Sequence, residues 1–103
     1  MKVADMVHLI ATLKIKPGSI EALLSAAAPC IEATRKEQGC ISYDLYRSTT
    51  DPNTLVFVEV WKSREALTLH FATEHLLKWK EQSVPHIVKR SAKIINSGEI
   101  EEI

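Results

Sequence analysis

The 103 residues make room for one domain, spanning 1–103, that buries roughly two-thirds of the surface its unfolded chain exposes. Thirteen Lys and Arg balance thirteen Asp and Glu for a formal charge of zero at pH 7, which lacks the strong positive field of a nucleic-acid binder. With 46% hydrophobic and 25% charged residues, the composition is that of a folded domain, not of a disordered or collagenous chain.

Asp5 interrupts the start where a signal peptide would have its apolar core, and no stretch approaches the ~20 apolar residues of a membrane span. A cytoplasmic location with no membrane partner is the expectation. Cys30 and Cys40 come without a Cys-x-x-Cys spacing and are expected to be reduced thiols.

Over 7–16 the residues Val7, Leu9, Ala11, Leu13 and Ile15 alternate with His8, Thr12, Lys14 and Lys16, and a period of two predicts a strand. Pro17-Gly18 ends it. A helix follows over 19–38, with Ser19 as its N-cap, Glu21 favourable near the positive end of the dipole, and Ile20, Leu23, Leu24, Ala27 and Ile31 on one face. Pro29 in its interior predicts a kink, and Gly39 is suited to end the helix in the left-handed conformation.

A second strand over 40–48 places Ile41, Tyr43 and Leu45 on one face, and a third follows over 54–62. The turn chemistry of Thr49-Thr50-Asp51-Pro52-Asn53 makes them an antiparallel hairpin. Leu55-Val56-Phe57-Val58-Glu59-Val60-Trp61 is apolar on both faces except at Glu59, the pattern of a strand covered on both sides. Ser63 is placed to cap a helix carrying Ala66, Leu67, His70 and Phe71, and Thr73 a short one carrying Leu76, Leu77 and Trp79. Pro85 marks a break, 91–97 reads as the last strand, and 98–103 as a polar tail.

The order strand, helix, strand, strand, helix, strand is the split βαβ arrangement of a ferredoxin-like α+β domain. Helices cover one face of such a sheet. The other then needs a second body, and for a chain this small a second copy of itself, packed sheet to sheet as a homodimer, is the expected cover.

Glu59 lies on one face with Phe57 and Trp61. Burial there raises a carboxyl pKa and suits it to general acid or base work, unless a nearby cation simply satisfies it. His70 and His75, five apart on a continuous helix, would stand about 140° apart, without the i, i+4 geometry of paired zinc ligands. Each is a candidate for proton transfer near neutral pH, and His70 equally for a hydrogen-bonded core residue. Tyr43, Phe57, Trp61 and Phe71 could hold a flat apolar ligand between sheet and helices or form plain core. No phosphate loop, dinucleotide fingerprint, nucleophile elbow or cysteine-histidine spacing occurs, so neither metal nor cofactor is expected.

The ordered series Gly39-Cys40, Asp51-Pro52-Asn53, Glu59-Val60-Trp61 and His70-Phe71-Ala72-Thr73-Glu74-His75 resembles the antibiotic biosynthesis monooxygenase domain, especially its quinol-monooxygenase-like members. The resemblance runs from about Val7 to Gly98. It implies a dimeric α+β barrel and, as the activity, oxidation of a small quinol or polycyclic aromatic substrate with dioxygen and no cofactor. It also implies roles for Trp61 as a pocket residue and for His70 and His75 as the histidine pair. Phe57 stands where the anthrone-oxidising members have an asparagine. Ala11, His70 and Lys80 stand where haem-degrading members have asparagine, tryptophan and the iron-ligating histidine, which argues against haem. Two alternatives remain open: a non-catalytic dimer that binds a small molecule, and an isomerase of a phosphorylated signalling sugar, which an Arg or Lys converging on the pocket would favour.

Overall fold

A computed structural model describes residues 6–96 and 99–103, the side chains at 99 and 100 excepted. The alternating segment forms β1 (Val7–Ile15), and helix α1 (Ile20–Arg35) follows the turn at Gly18. Then come β2 (Cys40–Arg47), β3 (Thr54–Trp61), α2 (Arg64–Phe71), α3 (Glu74–Ser83), a 3₁₀ turn (Val84–His86), β4 (Ile87–Asn96) and β5 (Glu99–Glu102). The strands form one antiparallel sheet in the order β2-β3-β1-β4-β5. This is the expected ferredoxin-like α+β fold, with a fifth strand added at the β4 edge. The segment read as a polar tail pairs there, Ile95 opposite Ile100, and Arg64 reaches Glu101 at 3.5 Å. The expected boundary of the last strand at Ser97 and Gly98, and the first five residues, lie outside the described residues.

The sheet's inner face carries Val7, Leu9, Ala11, Leu13 and Ile15 from β1, Leu55, Phe57 and Trp61 from β3, and Ala92 and Ile94 from β4, all buried. Leu23 and Ala27 of α1, Leu67 of α2, and Leu76 and Trp79 of α3 complete that core. At roughly 25 cal/mol per Å² of apolar surface, this burial is the main favourable term in folding. On the outer face, Val56, Val58 and Val60 are only half-buried, and Ile10 and Tyr46 are exposed. The double cover expected for β3 is therefore absent within a single chain.

Four local expectations are corrected by packing. Ser19 does not cap α1, because its hydroxyl hydrogen-bonds the His86 ring at 2.8 Å and ties the helix start to the 3₁₀ turn. The helix ends at Arg35, short of Gly39. Leu24 is exposed although its spacing placed it with Leu23. Ile41 is exposed too: the register shifts between Cys40 and Ser42, and that bulge separates Ile41 from Tyr43 and Leu45. Ser63 and Thr73 do cap α2 and α3, accepting from the amides of Ala66 at 3.1 Å and Leu76 at 3.4 Å. Asp51 closes the hairpin by accepting from the Thr54 hydroxyl, the Lys14 ammonium and the Asn53 amide, which together lower its carboxyl to about 2.

Gly39, at φ +94°, turns the chain from α1 into β2, and a Cβ there would stand 2.7 Å from the Ala66 Cβ. Its carbonyl also accepts from the Lys62 amide at 2.9 Å, fixing the turn against the end of β3. Gly39→Ala is expected to destabilise the chain by about 1–3 kcal/mol, because it adds a clash to an unfavourable backbone conformation. Urea unfolding of both proteins measures this, and Gly18→Ala, whose Cβ would meet nothing within 4 Å at φ +84°, separates backbone strain from the clash.

Candidate active site

A cavity of about 290 Å³ lies between the sheet and the α2–α3 pair. Its apolar wall includes Leu9, Ala11 and Leu13 of β1, Tyr43 of β2, Phe57 of β3, and Phe71, Leu76 and Trp79 of the helices. Polar groups interrupt that wall: the Glu59 carboxyl, the His70 imidazole, Ser83, and the cations Lys80 and Arg90. Strand alternation brings Phe57 and Glu59 to this face, and the β2 register sets Tyr43 directly opposite Glu59. Of the residues singled out in the sequence, Tyr43, Phe57, Glu59, His70 and Phe71 line the cavity.

Trp61 does not line it. It is fully buried behind Glu59, to which its indole N–H donates at 3.0 Å, and its ring centroid lies 4.7 Å from that of His70. Trp61 thus orients two polar groups of the wall. Tyr43 packs across the same cluster, its ring 5.5 Å from both Phe57 and His70. Burial pushes the Tyr43 hydroxyl far above the ordinary tyrosine range, so it stays protonated.

His75 lies outside the cavity, beside a hollow between α1 and α3. It is joined to His70 by a residue that sequence reasoning missed. Glu37, in the turn between α1 and β2, places one carboxylate oxygen, Oε2, 2.7 Å from both His70 Nδ1 and His75 Nε2. The break between α2 and α3 at Ala72-Thr73 undoes the 140° separation of a continuous helix and brings the two rings to 6.1 Å. The Thr73 hydroxyl also donates to the His70 carbonyl at 2.7 Å, pinning the last turn of α2. Nothing in the local pattern of an exposed-looking Glu-Gln-Gly turn signals Glu37.

A carboxylate accepting from Nδ1 puts the proton of a neutral His70 ring on that nitrogen and leaves the lone pair on Nε2. Burial holds His70 below its ordinary value, against the Glu37 hydrogen bond, which acts the other way. The ring is therefore a neutral, oriented imidazole in the cavity wall. Glu59 is also poised for proton transfer: burial pushes its carboxyl up to about 7, against the Trp61 hydrogen bond, with the charge of Glu37 adding to the rise and Arg90 opposing it. For cofactors, the same three groups, Glu37, His70 and His75, supply the donor atoms that a metal ion requires. Cys30 and Cys40 are both free, and burial raises both thiols, Cys40 to about 11, which makes them poor nucleophiles.

Because the Glu59 pKa rises on folding, its contribution to stability is complete below the unfolded value near 4.5 and is lost as pH climbs through about 7. Wild-type stability should fall by up to about 3 kcal/mol across that window from this group. Glu59→Gln should flatten the profile and be the more stable protein on its alkaline side, as denaturant unfolding at a series of pH values will register. Parallel profiles for the two proteins would place the carboxyl in a better solvated setting than the cavity wall.

Residues 6–82 match the family described as antibiotic biosynthesis monooxygenase. The Synechocystis sp. protein sll1783 is 36% identical over 90 residues, which cover 87% of this chain and 60% of its own length, so the chain spans less than two-thirds of that relative. A Mycobacterium tuberculosis protein named "Putative monooxygenase Rv0793" is 40% identical over 76 residues, 74% of each chain. Its solved structure superposes with a TM-score of 0.81 at 32% identity, over 87% of this chain and 92% of that one. An Escherichia coli protein named "Probable quinol monooxygenase YgiN" is 24% identical over 103 residues, covering 90% of this chain and 99% of its own. With the match extending over most of the described fold and through the cavity residues Tyr43, Phe57, Glu59 and His70, the chain belongs to the antibiotic biosynthesis monooxygenase family.

Proposed function

We propose that this chain is a cofactor-independent monooxygenase that oxidises a small quinol or polycyclic aromatic substrate with dioxygen, using His70 as the general base. The observation that carries this reading is the Glu37–His70 hydrogen bond, which turns a buried imidazole in an aromatic cavity into a fixed proton acceptor. Ground-state dioxygen reacts slowly with closed-shell organic molecules, so without a cofactor the substrate must be the electron donor. Removing a phenolic proton makes it one. His70 Nε2 takes the proton, the anion passes an electron to dioxygen, and the radical pair recombines at a ring carbon. One oxygen atom enters the ring to give a hydroxyquinone and the other leaves as water, which balances the four electrons without an outside reductant. Glu59, titrating near neutrality, is the second group able to move a proton, and the aromatic walls orient the ring and exclude water.

Family kinship and the printed names of the relatives support monooxygenase chemistry. Lys80 and Arg90 in the same wall favour a second reading, isomerisation of a phosphorylated sugar, because paired cations suit a phosphate better than a neutral quinol. Oxygen uptake by a panel of hydroquinones, naphthohydroquinols and anthrones distinguishes the two. Metal-free protein should accelerate uptake over autoxidation for at least one member, and His70→Ala should lower that rate by about 10²- to 10⁴-fold with the fold intact. Full activity in His70→Ala sinks the assignment of the base. Absence of any acceleration, with saturable binding of a phosphorylated sugar, moves the reading to the isomerase.

The working unit is a homodimer in this proposal, with the two sheets packed through their outer faces. Val56, Val58 and Val60, beside Ile10 and Tyr46, form an apolar stripe that a single chain leaves half-covered. Sedimentation should show a species of twice the chain mass at micromolar concentration. Val58→Asp, which sets a carboxylate in the middle of the stripe, should give monomer or unfolded chain, whereas an unchanged dimer would mean that another surface makes the contact.

A further inference from the structure

Glu37, His70 and His75 come from three separate elements, yet one carboxylate oxygen and two ring nitrogens lie within 4.8 Å of one another. We propose that these three side chains form a binding site for a divalent transition-metal ion such as Zn²⁺, and that the bound ion takes His70 out of service as a base.

The donor chemistry selects the ion. Two imidazoles and one carboxylate are a ligand set used in open zinc sites, where water takes the fourth position, whereas magnesium and calcium prefer all-oxygen cages. The geometry is close to what coordination needs. Donors around a tetrahedral zinc stand about 3.3 Å apart, and Glu37 Oε2 is already 2.7 Å from each nitrogen. The two oxygen–nitrogen distances must open by about 0.6 Å to admit the ion, and the two ring nitrogens must settle at the same separation. His70 is held between Tyr43 and Trp61, so the adjustment falls to His75, which is 24% exposed in the first turn of α3 and also opens the way in from solvent.

Neighbouring charges do not forbid the ion. Glu59 feels the charge of Glu37 and adds a second carboxyl, while Lys80 is the cation whose field reaches His70. In the metal-free state each ring donates a hydrogen to Glu37, and the ion replaces those two hydrogens at the same three atoms. The lone pair that binds it must then be on Nδ1 of His70, which moves the proton of the neutral ring to Nε2. A ring carrying hydrogen on Nε2 donates where it formerly accepted. This consequence rests on His70 being the base as proposed above; the binding itself does not.

Tag-free full-length protein, stripped with a chelator, is titrated with ZnCl₂ by calorimetry and with CoCl₂ by visible absorption. One ion per chain is expected, with Co²⁺ developing ligand-field bands of a low-symmetry site. Glu37→Gln and His75→Ala should each weaken binding more than tenfold, with circular dichroism confirming the fold. His75→Cys should restore affinity and add a sulfur-to-metal charge-transfer band, a readout that a purely structural role would not produce. No saturable binding at millimolar metal, or binding indifferent to both substitutions, overturns the site. If a turnover assay is in hand, Zn²⁺ should inhibit wild type in proportion to occupancy, and full activity of the loaded protein overturns the claim about His70. Should no substrate be turned over, the calorimetry still decides the site, so failure of the oxygenase reading and failure of this one are separable.

Discussion

All three helices lie against a single face of the sheet, and that one-sided cover governs the rest of the molecule. It buries the β1 row from Val7 to Ile15 and the β3 row of Leu55, Phe57 and Trp61, and leaves Val56, Val58 and Val60 only half-buried. It also means that any polar side chain on the inner face must find its hydrogen bonds inside the protein, since an unsatisfied buried group costs about 1–3 kcal/mol. Among the described residues no buried side-chain nitrogen or oxygen lacks a partner. The site is what that requirement looks like when the buried groups are an acid and an imidazole.

Glu59 and His70 meet the requirement in different ways. Glu59 has one strong donor, the Trp61 indole, and that is too little to hold its charge against burial, so it titrates near neutrality. His70 is oriented by a carboxylate that it shares with His75, while burial, acting against that carboxylate, disfavours the charged ring. Burial therefore moves the pair in opposite directions, Glu59 up to about 7 and His70 down from the ordinary imidazole value, and each stays in its uncharged form more readily than in water. The carboxylate that orients one imidazole also bridges to a second, so one Glu37 oxygen ties α2 and α3 to the turn between α1 and β2.

Lys80 and Arg90 give the cavity a chemical asymmetry. They come from α3 and β4 and set positive charge beside the aromatic and aliphatic part of the wall. A ligand with a flat apolar body and an electron-rich or anionic end would satisfy both halves of that surface. Arg47 and Arg64 do not line the cavity: Arg47 donates to the Pro52 carbonyl in the hairpin, and Arg64 is occupied with Thr68, Glu101 and the Phe71 ring.

Much of the fold was legible in the order of residues. Alternation gave β1, the turn residues 49–53 gave the hairpin, Ser63 and Thr73 marked two helix starts, and Glu59 stood out as the lone charge in an apolar strand, because each of these signals is local and repeats with the period of its element. What depended on long-range packing was not legible. Ser19 gave up its capping role to His86 from 67 residues away, a bulge turned Ile41 outward, and the tail became a fifth strand only because β4 offered it an edge. The site divided along the same line. The sequence alone determined that Glu59 shares a face with Phe57 and Trp61 and that His70 lies with Leu67 and Phe71, since strand and helix periodicity settles which side chains go together, while which row of β3 the helices cover was left to the packing. That Glu37 would meet His70 and His75 was decided only by the tertiary structure, because the turn carrying it is set by the packing of α1 against the sheet, and periodicity within an element says nothing about which turn of another element arrives beside it.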